Sequence, residues 1–186
     1  GLFQPTSYNW VVNANPLVNG ASNGSGNIIA QSPSHNTNAI QQYGYTITPN
    51  SRGCLGASKD AYVFVKPIPT LAASPDPDSI CSGDQVLMIL TPTVVGSNIN
   101  WTSTSSAQVT GNSNGSSPVT VFTDTLYNNS TINGIASYNF IPSFNGCTGN
   151  QVSANVIVNA NPSVNVGSNQ FVCSEDTIQL GGTQLS

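Results

Sequence analysis

The feature that most constrains this chain is that it repeats itself. Trp10 and Trp101 stand 91 residues apart, and so do Gly20 and Gly111, Ser22 and Ser113, Asn23 and Asn114, Gly24 and Gly115, and Ser25 and Ser116. After a two-residue insertion the offset becomes 93, aligning Tyr45 with Tyr138, Pro49 with Pro142, Gly53 with Gly146, Cys54 with Cys147, and Ala61, Val63 and Val65 with Ala154, Val156 and Val158. Ile80-Cys81-Ser82 recurs as Val172-Cys173-Ser174 at an offset of 92. A period of about 92 residues is a whole domain rather than a solenoid unit. The expected organisation is residues 1–70 as the C-terminal part of a first module, 79–162 as a complete module, and 163–186 as the beginning of a third, related one. Trp101 lies 20 residues after Cys81, whereas Trp10 has nine residues ahead of it. The first module is therefore expected to begin before residue 1, and both ends read as cuts through a longer chain.

Within the complete module the apolar pattern has the period of strands. Residues 85–91 form a short apolar run bounded by turn residues. Ile99 and Trp101 alternate with Asn98 and Asn100, and Ala136, Tyr138 and Phe140 with Ser137 and Asn139. Val152, Ala154, Val156 and Val158 share one face, as period-2 alternation requires of a half-buried strand. Residues 117–127 read as one Thr-rich strand or a pair. Gly-, Asn- and Pro-rich segments separate these runs, and no helical period is found. Some seven short strands in about 85 residues predict an all-β fold of tandem, Ig-like antiparallel sandwiches.

Charge removes several functions. Only 5% of residues are charged and the cations are Arg52, Lys59 and Lys66, against roughly 25% charged residues in an ordinary domain. Phosphate backbones and anionic lipid surfaces both need clustered Lys or Arg, so nucleic acid is excluded as a partner. No run of 18 apolar residues offers a membrane span. The opening Gly-Leu-Phe-Gln-Pro lacks the basic and apolar regions of a signal peptide, so any targeting signal is expected outside this segment.

Four cysteines without a Cys-x-x-Cys spacing, and a single histidine, argue against zinc. Two readings remain: buried free thiols, or disulfides formed in an oxidising compartment. Recurrence at equivalent repeat positions favours the second. If the turn holding Cys147 and the module's start share one pole of the sandwich, Cys81 pairs with Cys147. A Cys147–Cys173 bond would have to cross a final strand of about ten residues, roughly 33 Å long, while a disulfide needs Cα atoms within about 7 Å. Closing the Cys81–Cys147 loop contributes up to about 4 kcal/mol on the chain-entropy model. Cys54 and Cys173 are then expected to pair outside the chain.

The skeleton Cys81-Ser82-Gly83, Ile99-Asn100-Trp101-Thr102, Val109-Thr110-Gly111, Leu126-Tyr127-Asn128, Tyr138-Asn139-Phe140-Ile141-Pro142, Asn145-Gly146-Cys147-Thr148-Gly149 and Val156-Ile157-Val158-Asn159 resembles the PKD-like repeats of very long Bacteroidetes cell-surface proteins, gliding-motility adhesins of the SprB kind among them. The resemblance covers residues 1–162. It implies extracellular display at the cell surface, export by type IX secretion, and a part in adhesion or gliding. The implied partners are neighbouring modules, surface polysaccharide and the gliding or secretion machinery. Asp78-Ser79-Ile80, Asp124-Thr125-Leu126 and Asp176-Thr177-Ile178 are similar to the Asp-Ser/Thr-apolar triplets that Bacteroidetes O-glycosylate, which would make Ser79, Thr125 and Thr177 sugar acceptors. Ordinary Asp-led turns account for them equally well.

Chemistry is otherwise thin. His35 lies in a Ser/Asn-rich loop and has no counterpart in the second module, so a repeated histidine-based catalytic site is impossible. Asp76 and Asp78 are the candidates for calcium ligation at a module joint; a solvated, Pro-stiffened turn is the plainer reading. Trp10 and Trp101 read as core rather than sugar platforms. No cofactor and no catalytic residue are expected. The function indicated is a non-catalytic spacer of an exported adhesin or filament. The alternatives are a glycan- or protein-binding module, and an accessory domain of a secreted hydrolase.

Overall fold

The computed structural model describes residues 7–74 and 79–165, together with 169, 171, 173, 174 and 183–185. Among these the chain is all-β, without a helix, and so none long and apolar enough to cross a membrane. Two compact units form, the first from Gly1–Thr70, Thr93–Ser97 and Ser143–Gly149, the second from Leu71–Pro92, Asn98–Pro142 and Asn150–Ser186.

The first unit holds β1 (Ser7–Asn13), β2 (Gly24–Gly26), β3 (Gln41–Ser51), β4 (Cys54–Leu55) and β5 (Lys59–Val65). They form one antiparallel sheet in the order β2-β1-β3, with β4 and β5 both on the free edge of β3. Trp10, Tyr43 and Tyr45 are buried on its inner face, with Val12, Ile29, Ile47 and Val63 packed against them.

The second unit holds β6 (Leu71–Ser74), β7 (Ser79–Cys81), β8 (Gln85–Pro92), β9 (Asn98–Ser105), β10 (Val109–Thr110), β11 (Gly115–Ser117), β12 (Val121–Thr125), β13 (Tyr127–Asn128), β14 (Gly134–Phe144) and β16 (Val152–Asn159). Strand β15 (Cys147–Thr148) closes a hairpin on the end of β14, and β17 (Ser163–Asn165) pairs with β18 (Thr183–Leu185). One sheet runs β11-β9-β14-β16-β7 and the other β12-β8-β6. Between them lies the core: Val86, Met88 and Leu90 from β8, Ile99 from β9, Phe122 from β12, Tyr138 and Phe140 from β14, and Val156 and Val158 from β16. Each strand buries alternate residues, which is why the period-2 runs located them. The Thr-rich stretch expected over 117–127 resolves into the three short strands β11, β12 and β13.

Among the described residues the sandwich departs from antiparallel pairing where β7 meets β16. The N-terminal strand is split: β6 pairs with β8 in one sheet, while β7 pairs with β16 in the other, parallel to it.

The first unit has the smaller core. Strand β12 is held by β8 in the second unit, and at the matching positions of the first, residues 28–32 carry no strand. Pockets of 230 and 300 Å³ open on that inner face, lined by Trp10, Ile29 and Ile47, and by Ile29, Tyr43, Tyr45 and Val63 respectively.

The repeated tryptophans explain the repeated glycines. A Cβ on Gly24 would sit 2.6 Å from Cζ2 of Trp10, and one on Gly115 would meet the same ring atoms of Trp101 more closely still. The indole lies directly on β2 or β11, and only hydrogen fits beneath it. Gly111→Ala would be worse, because Gly111 has φ +98° and its Cβ position is occupied by the Thr125 carbonyl. Overpacking of this kind costs about 1–3 kcal/mol. Gly115→Ala should therefore lower the urea midpoint of the second unit by that equivalent; an unchanged midpoint would mean the indole swings aside freely.

Candidate functional site

A buried phenol organises the interior of each unit. Tyr138 Oη donates to Asp124 Oδ2 at 2.9 Å, linking β14 in one sheet to β12 in the other. Asp124 also accepts from the Ser113 backbone N–H at 2.8 Å and from Ser113 Oγ at 2.7 Å. In the first unit the matching phenol, Tyr45, donates to Gln31 Oε1. Gln31 is bound in turn to Ser22, accepting from its N–H at 3.0 Å and donating to its carbonyl at 2.8 Å. Tyr45 and Tyr138, Gln31 and Asp124, and Ser22 and Ser113 are all repeat equivalents. Sequence reading recovered the first and third pairs but not the middle one. The 93-residue offset carried that signal, which is hard to notice because the residue type changes.

This network bears on one glycosylation candidate. Thr125 is half-buried between Asp124, which is committed to the interior, and the fully buried Leu126. The sequence Asp124-Thr125-Leu126 thus has a structural reason of its own. Ser79 is exposed on β7. Thr177, like the calcium candidates Asp76 and Asp78, lies outside the described residues. Among the described residues no group of three or more His, Cys, Asp or Glu is arranged to hold a metal.

His35 borders a pocket of 530 Å³ in the first unit, with Ser34, Thr37, Ile68, Thr70 and Thr93 among its walls. Its Nδ1 accepts from the Thr37 N–H at 3.2 Å. Nε2 therefore carries the proton, donating it to the Val65 carbonyl at 2.9 Å. Both ring nitrogens are engaged with backbone, and among the described residues no carboxylate orients the ring as a catalytic base requires. The histidine fastens its loop to the end of β5.

The cysteines occupy the two ends of the module. In the second unit the chain enters at Leu71, whose partner is Pro92 at the end of β8. The 93–97 turn then leads into β9. Strand β9 finishes near Ile135, to which Ser106 donates at 2.9 Å, so it starts level with the far end of β14. That far end carries the hairpin in which Phe144 faces Cys147. Entry and Cys147 thus share a leading end. Strand β16 then runs to Asn159, and Cys81 faces Asn159 from the parallel strand β7: the trailing end.

This geometry corrects the expected Cys81–Cys147 bond. From Asn159 back to Val152 is seven residues of strand, and from Phe140, the partner of Val152, to Phe144 is four more. At about 3.3 Å per residue the two cysteines stand about 36 Å apart, far beyond disulfide reach, and neither is bonded. The expectation put the start of the module and the last hairpin at one pole. Strand β6 does start there, but β7 changes sheets and carries Cys81 away.

The hairpin after β14 is built like the one after β3. Asn145 and Gly146 have φ of 47° and 87°, and Arg52 and Gly53 of 54° and 85°. Two successive left-handed residues make the two-residue turn that matches strand twist, and the residue that follows is Cys147 or Cys54. Cys54 is exposed and Cys147 half-buried; Cys81 and Cys173 are exposed.

The family model described as PKD-like domain matches residues 3–69 and 78–162. No curated protein matches. Among solved structures the chain is similar to the S-layer protein rSbsC, at 17% identity and TM-score 0.33, over 86% of this chain and 21% of that one. It is also similar to murine CEACAM1b, at 14% identity and TM-score 0.30, over 81% and 85% respectively. The chain thus spans about a fifth of the S-layer protein it matches.

The buried phenols make a pH prediction. Burial, then the hydrogen bond and charge of Asp124, raise the Tyr138 pKa far above the usual phenol value. Burial and the neighbouring Tyr43 raise that of Tyr45 to about 12. Above pH ~10 the unfolded chain releases phenolic protons that the folded chain retains, so stability falls as pH rises. For Tyr45 that loss runs from about pH 10 to 12. Denaturant midpoints measured from pH 8 to 12 should decline, and Tyr45→Phe and Tyr138→Phe together should flatten the decline. A separate substitution, Asp124→Ala, strands the Tyr138 hydroxyl and Ser113 N–H, and should cost about 3 kcal/mol in the same assay. Asp124→Gln, which copies the first unit, should cost clearly less.

Proposed function

Because the chain belongs to the PKD-like domain family and carries two such domains in tandem, we propose that it is a non-catalytic, length-setting segment of an exported surface adhesin or filament. The observation that carries this reading is the polarity of the module. The chain enters the second unit at Leu71 at one end and leaves it at Asn159 at the other, with strands running most of the way between, the geometry a length-setting module needs. Strand β14, at eleven residues, corresponds to about 36 Å. The connection after β5 is stiff: Pro67 and Pro69 are fully buried, and proline fixes its own backbone. Cell-surface placement, a role in gliding or adhesion, and type IX export are proposed from the resemblance of the repeated skeleton. O-linked sugar on exposed Ser79 would suit a surface with so few charges.

One observation favours the binding-module reading. Tyr62 and Phe64 stand out from β5, each about 60% exposed (60% and 62%), beside Asp60 and Thr46, whose side chains meet at 2.7 Å. Aromatic faces next to polar groups are what sugar rings dock on. The matching residues of the second unit are Asn155 and Ile157, so such a platform would belong to one module and not to the array.

Small-angle scattering on arrays of two, three and four modules tests the spacer. The maximum dimension should rise linearly by roughly 35–40 Å per module; a constant value would defeat the proposal. A glycan array probed with the chain and with Tyr62→Ala/Phe64→Ala tests the second reading, which requires binding that the double variant loses.

A further inference from the structure

We propose that His35 is the proton-sensitive form of a clasp that the repeat builds twice. In the first unit a second proton on the imidazole releases the turn at Thr37, while the matching clasp of the second unit, built on Asn128, stays closed. The inference goes beyond the spacer reading and holds whether the array spaces or binds.

The 93-residue offset sets His35 on Asn128, Thr37 on Ser130, Ala39 on Ile132 and Val65 on Val158. In the second unit Asn128 Oδ1 accepts from the Ser130 backbone N–H at 3.0 Å, and Asn128 Nδ2 donates to the Val158 carbonyl at 2.9 Å. Ser130 Oγ closes the turn by donating to the Ile132 carbonyl at 3.1 Å. In the first unit His35 Nδ1 accepts from the Thr37 N–H at 3.2 Å, and Nε2 donates to the Val65 carbonyl at 2.9 Å. Thr37 Oγ1 donates to the Ala39 carbonyl at 3.1 Å. Each bond of one clasp has its equal in the other. A side-chain amide and a neutral imidazole both carry an acceptor and a donor a short way apart, so either can tie a turn to a strand.

The two differ in what a proton does to them. The amide keeps its acceptor throughout the range in which proteins work. Imidazole accepts only while neutral, since both nitrogens of the cation are donors, and histidine is the side chain that ordinarily changes charge between roughly pH 5 and 8. A proton taken from water lands on Nδ1, because Nε2 already carries one. The new Nδ1–H then faces the Thr37 N–H. Thr37 Oγ1, at 3.1 Å, already accepts from Gln41 Nε2 at 2.8 Å, and a bond to it would still leave the Thr37 N–H against a donor. The Nε2–H bond to Val65 survives protonation, so the turn lets go and the ring does not. Loosening is bounded on both sides: Ser34 exchanges two backbone bonds with Asn19, and β3 begins at Gln41.

Among the described residues no carboxylate answers the imidazolium. Its own loop brings Ser34, Asn36 and Asn38, and the pocket beside it Ile68, Thr70 and Thr93. Strand β5 carries Lys59, Asp60 and Tyr62, and β3 carries Tyr43 and Tyr45. Asp60 is engaged by Thr46, and Lys66, directly after the carbonyl that Nε2 binds, is a cation.

Amide hydrogen exchange on the 186-residue chain, expressed as protection relative to the unfolded rate at each pH, tests the clasp. Thr37 protection should fall about fivefold or more between roughly pH 8 and 5, with Ser130 unchanged. His35→Asn, which copies the second unit, should hold Thr37 protection level over the same range. Nitrogen NMR of the imidazole in the unaltered chain does not depend on how that variant folds. At the upper end of the range it should show Nε2 protonated and Nδ1 bare. Thr37 protection that stays constant, an equal fall at Ser130, a fall that persists in folded His35→Asn, or a ring protonated at Nδ1 in the neutral state would each overturn the proposal.

Discussion

A phenol buried between two sheets must find an acceptor, and the second unit depends on its finding Asp124. The hydroxyl of Tyr138 crosses from one sheet to the other, and the carboxylate that receives it also gathers the loop after β10 through Ser113. Around that bond the rings of Phe122, Tyr138, Phe140 and Trp101 pack edge-on or stacked, at centroid separations of 4.9–6.2 Å. Hydrophobic burial is indifferent to register, whereas a hydrogen bond in a dry interior is not. That polar contact therefore fixes how the two apolar faces meet.

Charge plays little part in holding the surface together. Short polar side chains bridge neighbouring strands instead: Thr46 to Asp60, Thr48 to Ser58, and Ser153 and Gln151 to Asn139. Such cross-strand pairs are the sheet's own means of stabilisation, and they need no counterions. A chain with 5% charged residues can in this way keep a well-bonded outer face.

Much of the fold was legible because its signals are local. Alternation located β8, β9 and β16 to within a residue or two and the middle of β14, and the tryptophans proved to be interior residues, Trp10 buried and Trp101 packed against the core. What stayed hidden depends on which strand neighbours which. Three residues, Ser79–Cys81, give no hint that their strand leaves β8's sheet to lie parallel to β16, and the cysteine pairing went astray on that point. Asp124 was read as part of a glycosylation triplet because a carboxylate bound inside a fold and one in a turn look alike in sequence. Only the alignment with Gln31 separates them.

The two tryptophans amount to a substitution experiment carried out within one molecule. In the first unit the Trp10 indole N–H reaches the Ser22 carbonyl at 3.2 Å; in the second, Trp101 Nε1 is buried and finds no acceptor among the described residues. Leaving a donor dry and unanswered costs about 1–3 kcal/mol, yet the ring keeps the same seat on its glycine. What selects tryptophan here is the flat breadth of the bicyclic ring, with its nitrogen as a passenger.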